Sequence, residues 1–240
     1  MQLPFRMSLF TALVLMSPSW LRAQQTADPS GHWEGAIQTP DRAVNVEVDL
    51  LRTEKGEFIG TIGIPEQSLK GLPFQKVTVV GRSVGLQART DQPFDGVLSD
   101  DGRSLAGHLS VSGYSVPMNL TRTGAAHVET PDKSAAIGKQ LEGTWKGTLA
   151  AQGQQLRIVL TMLNHPDGTA SGTAVDLDEG GLEVPVTITH TDSKVTLQFK
   201  AISASFTGTL NKEGSELDGT YQHGPINAPL VFQRATPEGK

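Results

Sequence analysis

The feature that most constrains this chain is an internal repeat. "GHWEGAIQT" begins at Gly31 and "GTWKGTLAA" at Gly143, so Trp145 stands 112 positions after Trp33 in the same Gly-x-Trp-x-Gly frame. The same offset places Gly60-Thr61 on Gly172-Thr173, Pro73 on Pro185, Pro117 on Pro229 and Arg122 on Arg234. "FDGVLSDDGRSLAG" from Phe94 falls on "FTGTLNKEGSELDG" from Phe206, and one slip near Ser83 aligns "SVGLQ" with "KVTLQ". A register this long marks a duplicated unit, and each copy is large enough to support its own core. The expected organisation is a first repeat over 24–123, a linker over 124–142 rich in Ala, Lys, Asp and Thr, and a second repeat over 143–236.

Within each copy the apolar period is two. Val44, Val46, Val48 and Leu50 alternate with Asn45, Glu47 and Asp49, and Leu156, Ile158, Leu160 and Met162 form the matching row. Strict alternation specifies antiparallel strands with one wet face. Turn signals such as "TEKG", "SDDG", "HPDG" and "NKEG" recur between the rows. In the first copy, strands are expected to begin near Gly31, Val44, Glu57, Val77, Val84, Phe94, Ser104 and Ser115. The expected fold class is all-β: two tandem antiparallel up-and-down barrels of about eight strands each. A β-sandwich is the alternative.

Residues 1–23 stand apart. A positive start, the apolar run "MSLFTALVLM" and Ala23 before "QQTADPS" match a secretory signal peptide, and the run is too short to span a bilayer. The expected location is periplasmic or secreted. The chain holds 20 Lys and Arg against 25 Asp and Glu, and removing the leader takes away two arginines and no acid. No basic tract is left to bind nucleic acid, and no membrane span is expected in the mature chain. Cysteine is absent, which excludes disulfides and thiol chemistry.

Apparent catalytic signals fail on context. "GRSVG" around Ser83 has the spacing of a nucleophile elbow, but its flanks "KVTVV" and "LQART" are β-patterned, which specifies a hairpin turn. The histidines His32, His108, His127, His165, His190 and His223 show no ligand spacing, and Asp176-Leu177-Asp178-Glu179 lacks the calcium-loop pattern. "NLT" at Asn119 matches a glycosylation sequon but sits on a closing strand. No catalytic residue, metal site or cofactor is expected, and the chain is not expected to be an enzyme.

If Trp33 points inward with Gly35 and Ile37, and Met118, Leu120 and Arg122 form the inward row of the last strand, barrel closure lays Arg122 on the indole. Trp145 and Arg234 repeat the pair, 89 positions apart in both copies. A Gly-x-Trp in the first strand with an Arg at the end of the last resembles the calycin signature of lipocalin, fatty-acid-binding and avidin-like barrels. "IPEQSLKGLPF" and "FDGVLSDDGRSLAG" are also similar to the β-rich domains that precede serine hydrolase domains in secreted bacterial proteins, although the hydrolase part is missing. The first resemblance implies a barrel with a plugged end.

Eight-stranded barrels are wide enough to hold one small ligand. The inward parity nominates Phe58, Phe94 and Met118 in the first copy and Phe199, Phe206, Tyr221 and Phe232 in the second as binding residues for a small apolar ligand. Ala170 stands where the first copy has Phe58, and Ala174 where it has Ile62, substitutions that open space or accommodate Phe199 and Tyr221. The alternative role is an accessory module that docks on an envelope protein such as a separately encoded hydrolase.

Overall fold

The computed structural model describes residues 27–236 except Ser112, Gln152 and Glu179, so the expected leader lies outside the described residues. The first repeat holds β1 (Gly31–Gln38), β2 (Ala43–Arg52), β3 (Phe58–Ile64), β4 (Leu69–Pro73), β5 (Lys76–Val80), β6 (Ser83–Gln87), β7 (Pro93–Leu98), β8 (Ser104–Val111) and β9 (Tyr114–Gly124). A two-residue strand, β10 (Ser134–Ala135), precedes the second repeat. That repeat holds β11 (Gly143–Ala151), β12 (Gln154–Asn164), β13 (Thr169–Asp176), β14 (Leu182–Thr191), β15 (Lys194–Phe199), β16 (Ala204–Leu210), β17 (Glu216–His223) and β18 (Ile226–Arg234). The protein is all-β, and neighbouring strands are joined antiparallel throughout.

The alternation in sequence is the pattern of burial. Val44, Val46, Val48 and Leu50 are buried while Ala43, Asn45 and Glu47 face solvent, which is how a period-two pattern sorts onto the two faces of a curled sheet. In each repeat the last strand returns to the first: Trp33 on β1 is opposite Arg122 on β9, and Trp145 on β11 is opposite Arg234 on β18. Gly35 makes the first approach possible, since a Cβ there would lie 2.0 Å from the Asn119 carbonyl oxygen. Its counterpart Gly147 is hemmed in by Phe232 and Val231.

The second repeat closes into an eight-stranded barrel because β14 pairs with β13 through Leu182–Val186 and with β15 through Thr187–Thr191. In the first repeat the same stretch is broken into β4 and β5, giving a nine-stranded sheet that curls round with a seam between those two strands. The Phe74 N–H donates to Gly60 O on β3 (2.9 Å) and the Gln75 N–H to Gln87 O on β6 (2.8 Å), so the chain crosses the seam itself. Sequence reasoning missed β4. Its "LKGLP" carries Gly71 in the left-handed region and Pro73, both loop signals that an edge strand tolerates.

Two apolar cores fill the repeats, one around Trp33, Leu50 and Phe94, the other around Trp145, Phe206 and Phe232. Leu72 of β4 is fully buried and belongs to the second core, so the repeats pack against each other. Residues 124–142, the expected linker, contribute to the second repeat as well. The Ser134 Oγ accepts from the Ile188 N–H (2.7 Å), the Asn164 side chain bonds both the N–H and the C=O of Ile137, and Ile137 and Leu141 are buried. Ile137→Ala is therefore expected to destabilise the second repeat by about 2–4 kcal/mol, read from chemical denaturation; a change of a few tenths would show that Ile137 only drapes over the barrel.

Candidate functional site

One end of each repeat is shut by the same device. Trp33 is wholly buried, its indole N–H donates to Pro29 O (2.9 Å), and the Arg122 guanidinium lies 4.7 Å from the ring centroid. Trp145 repeats this with Leu141 O (2.9 Å) and Arg234 at 4.3 Å. The two plugs differ in their polar ties. Arg122 donates from Nη2 to Asp28 O (2.7 Å), and its buried Nε has no partner. Arg234 donates from Nε to Gly214 O (2.8 Å), from Nη1 to Glu142 O (2.7 Å) and from Nη2 to Gln140 O. Arg122→Leu should cost the first repeat about 1–3 kcal/mol, and Arg234→Leu should cost the second about 1–2 kcal/mol more, because it strands further carbonyls. Calorimetric unfolding of the two variants checks this; equal losses would mean the extra carbonyl bonds contribute nothing.

The opposite ends are open and meet at a cavity of about 620 Å³, inside the size range of small-molecule sites. The inward row of β12 shows how it arises: Leu160 and Met162 are fully buried near the plug, whereas Leu156 and Ile158 towards the far end are half-buried and line the cavity. Ala174, where the first repeat has Ile62, is also on its wall. Phe199 and Tyr221 form an aromatic side, edge to face at 6.1 Å, with His223 6.4 Å beyond Tyr221. The first repeat contributes Ile37, Val44, Leu69, Leu109 and Val111 from its own open end.

Of the nominated ligand residues, the structure brings Phe199 and Tyr221 to this cavity. Phe206 and Phe232 pack edge to face at 5.3 Å in the wholly buried core beneath. Phe94 and Met118 are buried in the first core. Phe58 is half-buried at the plugged end, with the Arg52 guanidinium 5.7 Å over its ring. Sequence reasoning favoured aromatics and passed over the aliphatic wall of Leu149, Leu156, Ile158, Leu182 and Val184, although the alternation in "QLRIVLTM" had already placed two of these inward.

A second, polar cleft of about 350 Å³ lies between the outer walls of the repeats and the segment 127–132. The Asp49 carboxylate accepts from the His127 N–H (2.8 Å) and pairs with His32 Nδ1 (2.9 Å), while Lys200 pairs with Asp132 on the other wall. Among the described residues no group of three or more His, Asp or Glu is placed to hold a metal ion. Ser83 follows the turn Gly81-Arg82 opposite Val80 in an antiparallel hairpin, with no helix after it. No helix of the described residues is long and apolar enough to cross a membrane.

No protein-family model and no curated protein matches the sequence. Among solved structures the chain is similar to a candidate outer membrane protein from Bacteroides fragilis NCTC 9343, with 15% identity, 86% of this chain and 97% of that chain covered, and a TM-score of 0.27. A protein of unknown function from the DUF3598 family of Nostoc punctiforme PCC 73102 aligns with 12% identity, 88% and 97% coverage, and a TM-score of 0.25. Scores this low assign neither function nor location to this chain.

The His32–Asp49 pair gives the polar cleft a pH dependence. Hydrogen bonding to Asp49 raises the imidazole above its ordinary value near 6.5, partial burial opposes this, and the charges of Asp49, Glu34 and Glu47 add to the rise. A raised folded-state value means that the stabilisation is complete below the unfolded value and is lost as pH climbs through the folded one. The stability gap between the parent and His32→Gln should thus be larger at pH 5.5 than at pH 8.5, by at most about 1 kcal/mol for a partly exposed pair. A gap that does not vary with pH would show that the bond does not depend on protonation.

Proposed function

We propose that the chain is an exported, non-catalytic tandem β-barrel protein of calycin type that binds a small apolar ligand at the open end of the second barrel. The observation that carries this reading is the 620 Å³ cavity walled by Phe199, Tyr221, Leu156, Ile158 and Leu230. An apolar concavity of this size with a few polar groups at its rim is the usual form of a small-molecule site. The calycin reading rests on the Trp–Arg plug, which blocks one end and leaves the other for a ligand. The export reading rests on residues 1–23, with their short apolar run and Ala23 before a polar stretch. A second reading, an accessory module docking on an envelope protein, draws on Val80 and Val97, which stand 76% and 53% exposed on the outer wall of the first repeat.

Ligand screening separates the two readings. Both described tryptophans sit at the plugged ends, and Trp145 is roughly 15 Å along β11 from the cavity, so calorimetry or an environment-sensitive apolar dye is a better reporter than indole quenching. Saturable binding of an apolar probe is expected, and Ala174→Leu, which fills the wall between Leu160 and Val184, should weaken it about tenfold or more while the barrel still melts cooperatively. If fatty acids, tetrapyrroles and dyes all fail to bind the parent protein, the carrier reading falls and the docking module takes its place.

A further inference from the structure

The cavity is not enclosed by either repeat alone. Ile37, Val44, Leu69, Leu109 and Val111 close its other side, and they come from the ends of strands in the first repeat. In an isolated barrel the tops of these side chains would face water; here they face the mouth of β11–β18. Their position is fixed by contacts outside the cavity. Leu72 is buried in the second core, the Thr90 hydroxyl donates to Gly180 O (3.4 Å), and the Gln75 amide donates to Gly181 O (3.4 Å). Gly180 suits this turn because its φ of +66° lies in the left-handed region, and the ends of the Arg89 and Asp91 side chains reach over its α-carbon.

The polar groups at the rim point to the kind of ligand. Arg89 is held by both oxygens of Asp91, Nε to Oδ1 and Nη2 to Oδ2 at 3.1 Å each, so its charge is already matched. Asp176, which accepts from the Asp178 N–H, adds a carboxylate to the lining and His223 an imidazole. Gln67, Gln92 and Gln154 supply amides, which both donate and accept hydrogen bonds, while the Thr39 hydroxyl already donates to Arg42 O (2.6 Å). An incoming carboxylate would have to displace Asp91 from Arg89; an uncharged hydroxyl, amide or ester meets no such penalty.

We propose that the two open ends form one composite site that takes a single neutral amphiphile, an apolar body ending in an uncharged hydrogen-bonding group. This rests on the reading of the cavity as a ligand site. The first repeat is then half of the binding wall, and the duplication serves one site with two unlike halves.

The test is calorimetry on the full chain with dodecanol and dodecanoate at matched submicellar concentrations. One dodecanol per chain is expected, bound about tenfold or more tighter than dodecanoate. Leu109→Gln in the first repeat and Leu156→Gln in the second should each weaken it about tenfold, with Leu109→Ala as a milder variant if the glutamine disturbs folding. Equal or tighter binding of dodecanoate overturns the neutral-head assignment. Two molecules per chain, or first-repeat variants that bind like the parent while Leu156→Gln does not, overturn the composite site and leave ligand binding by the second barrel standing. If neither probe nor an apolar dye binds, the ligand reading itself fails, and the composite site with it.

Discussion

Closure of the first strand on the last is the constraint from which the rest of this structure follows. A curled antiparallel sheet leaves two edges with unpaired N–H and C=O groups; the second repeat removes them by pairing β13 with β14, whereas the first keeps β4 and β5 as edges beside the seam. The joint between first and last strands is built around a buried indole with a guanidinium on its face, in the same register in both repeats. The plug also decides where a ligand can go. Trp33 and Trp145, with the carbonyls that their N–H groups and the two arginines engage, shut the ends at which β1 and β11 begin. Any usable space must therefore lie at the opposite ends, where inward side chains such as Leu156 and Ile158 are only half-buried.

The duplication is not a simple doubling. In the first repeat Phe58 lies under Arg52 at the plugged end; in the second β10 pairs alongside the corresponding Ala170, with Ser134 opposite it in register, and Ile137 and Leu141 join the same core. The segment between the repeats thus supplies what the smaller side chain leaves out. Ala174 has no such replacement, and the space it frees opens into the cavity. The two substitutions have the same chemistry and opposite outcomes, because the segment between the repeats adds Ile137 and Leu141 to the core that holds Ala170, whereas Ala174 borders the cavity. A large-to-small exchange leaves a cavity only where nothing nearby refills it.

Much of the fold was legible because its causes are local. Alternation in "AVNVEVDL", turns at "SDDG" and "NKEG", and the Trp–Arg spacing each act within one repeat, and they led to the strands and to the register at which they close. β4 was not legible, since Gly71 and Pro73 read as loop unless the edge position of the strand is known. The candidate site was only half legible. Phe199 and Tyr221 were found by inward parity, but parity does not report depth, so Phe206 and Phe232 in the packed core looked equivalent to them. The contribution of Leu109 and Val111 was out of reach, because no pattern within one repeat states which way it faces the other.

That orientation has a physical rationale. Each open end presents an apolar rim, and a rim facing water invites association between molecules. Turning the mouths towards each other hides both rims with surface the chain already has, at the cost of ordering the segment between them. On the proposed reading a ligand that fills the cavity would touch both repeats, with Arg89, Gln92 and Gln154 among the polar groups around it, and its exchange would be tied to the contact between them. That contact is uneven: Leu72 is locked into the second core, whereas the bonds from Thr90 and Gln75 to the Gly180-Gly181 turn are long and exposed.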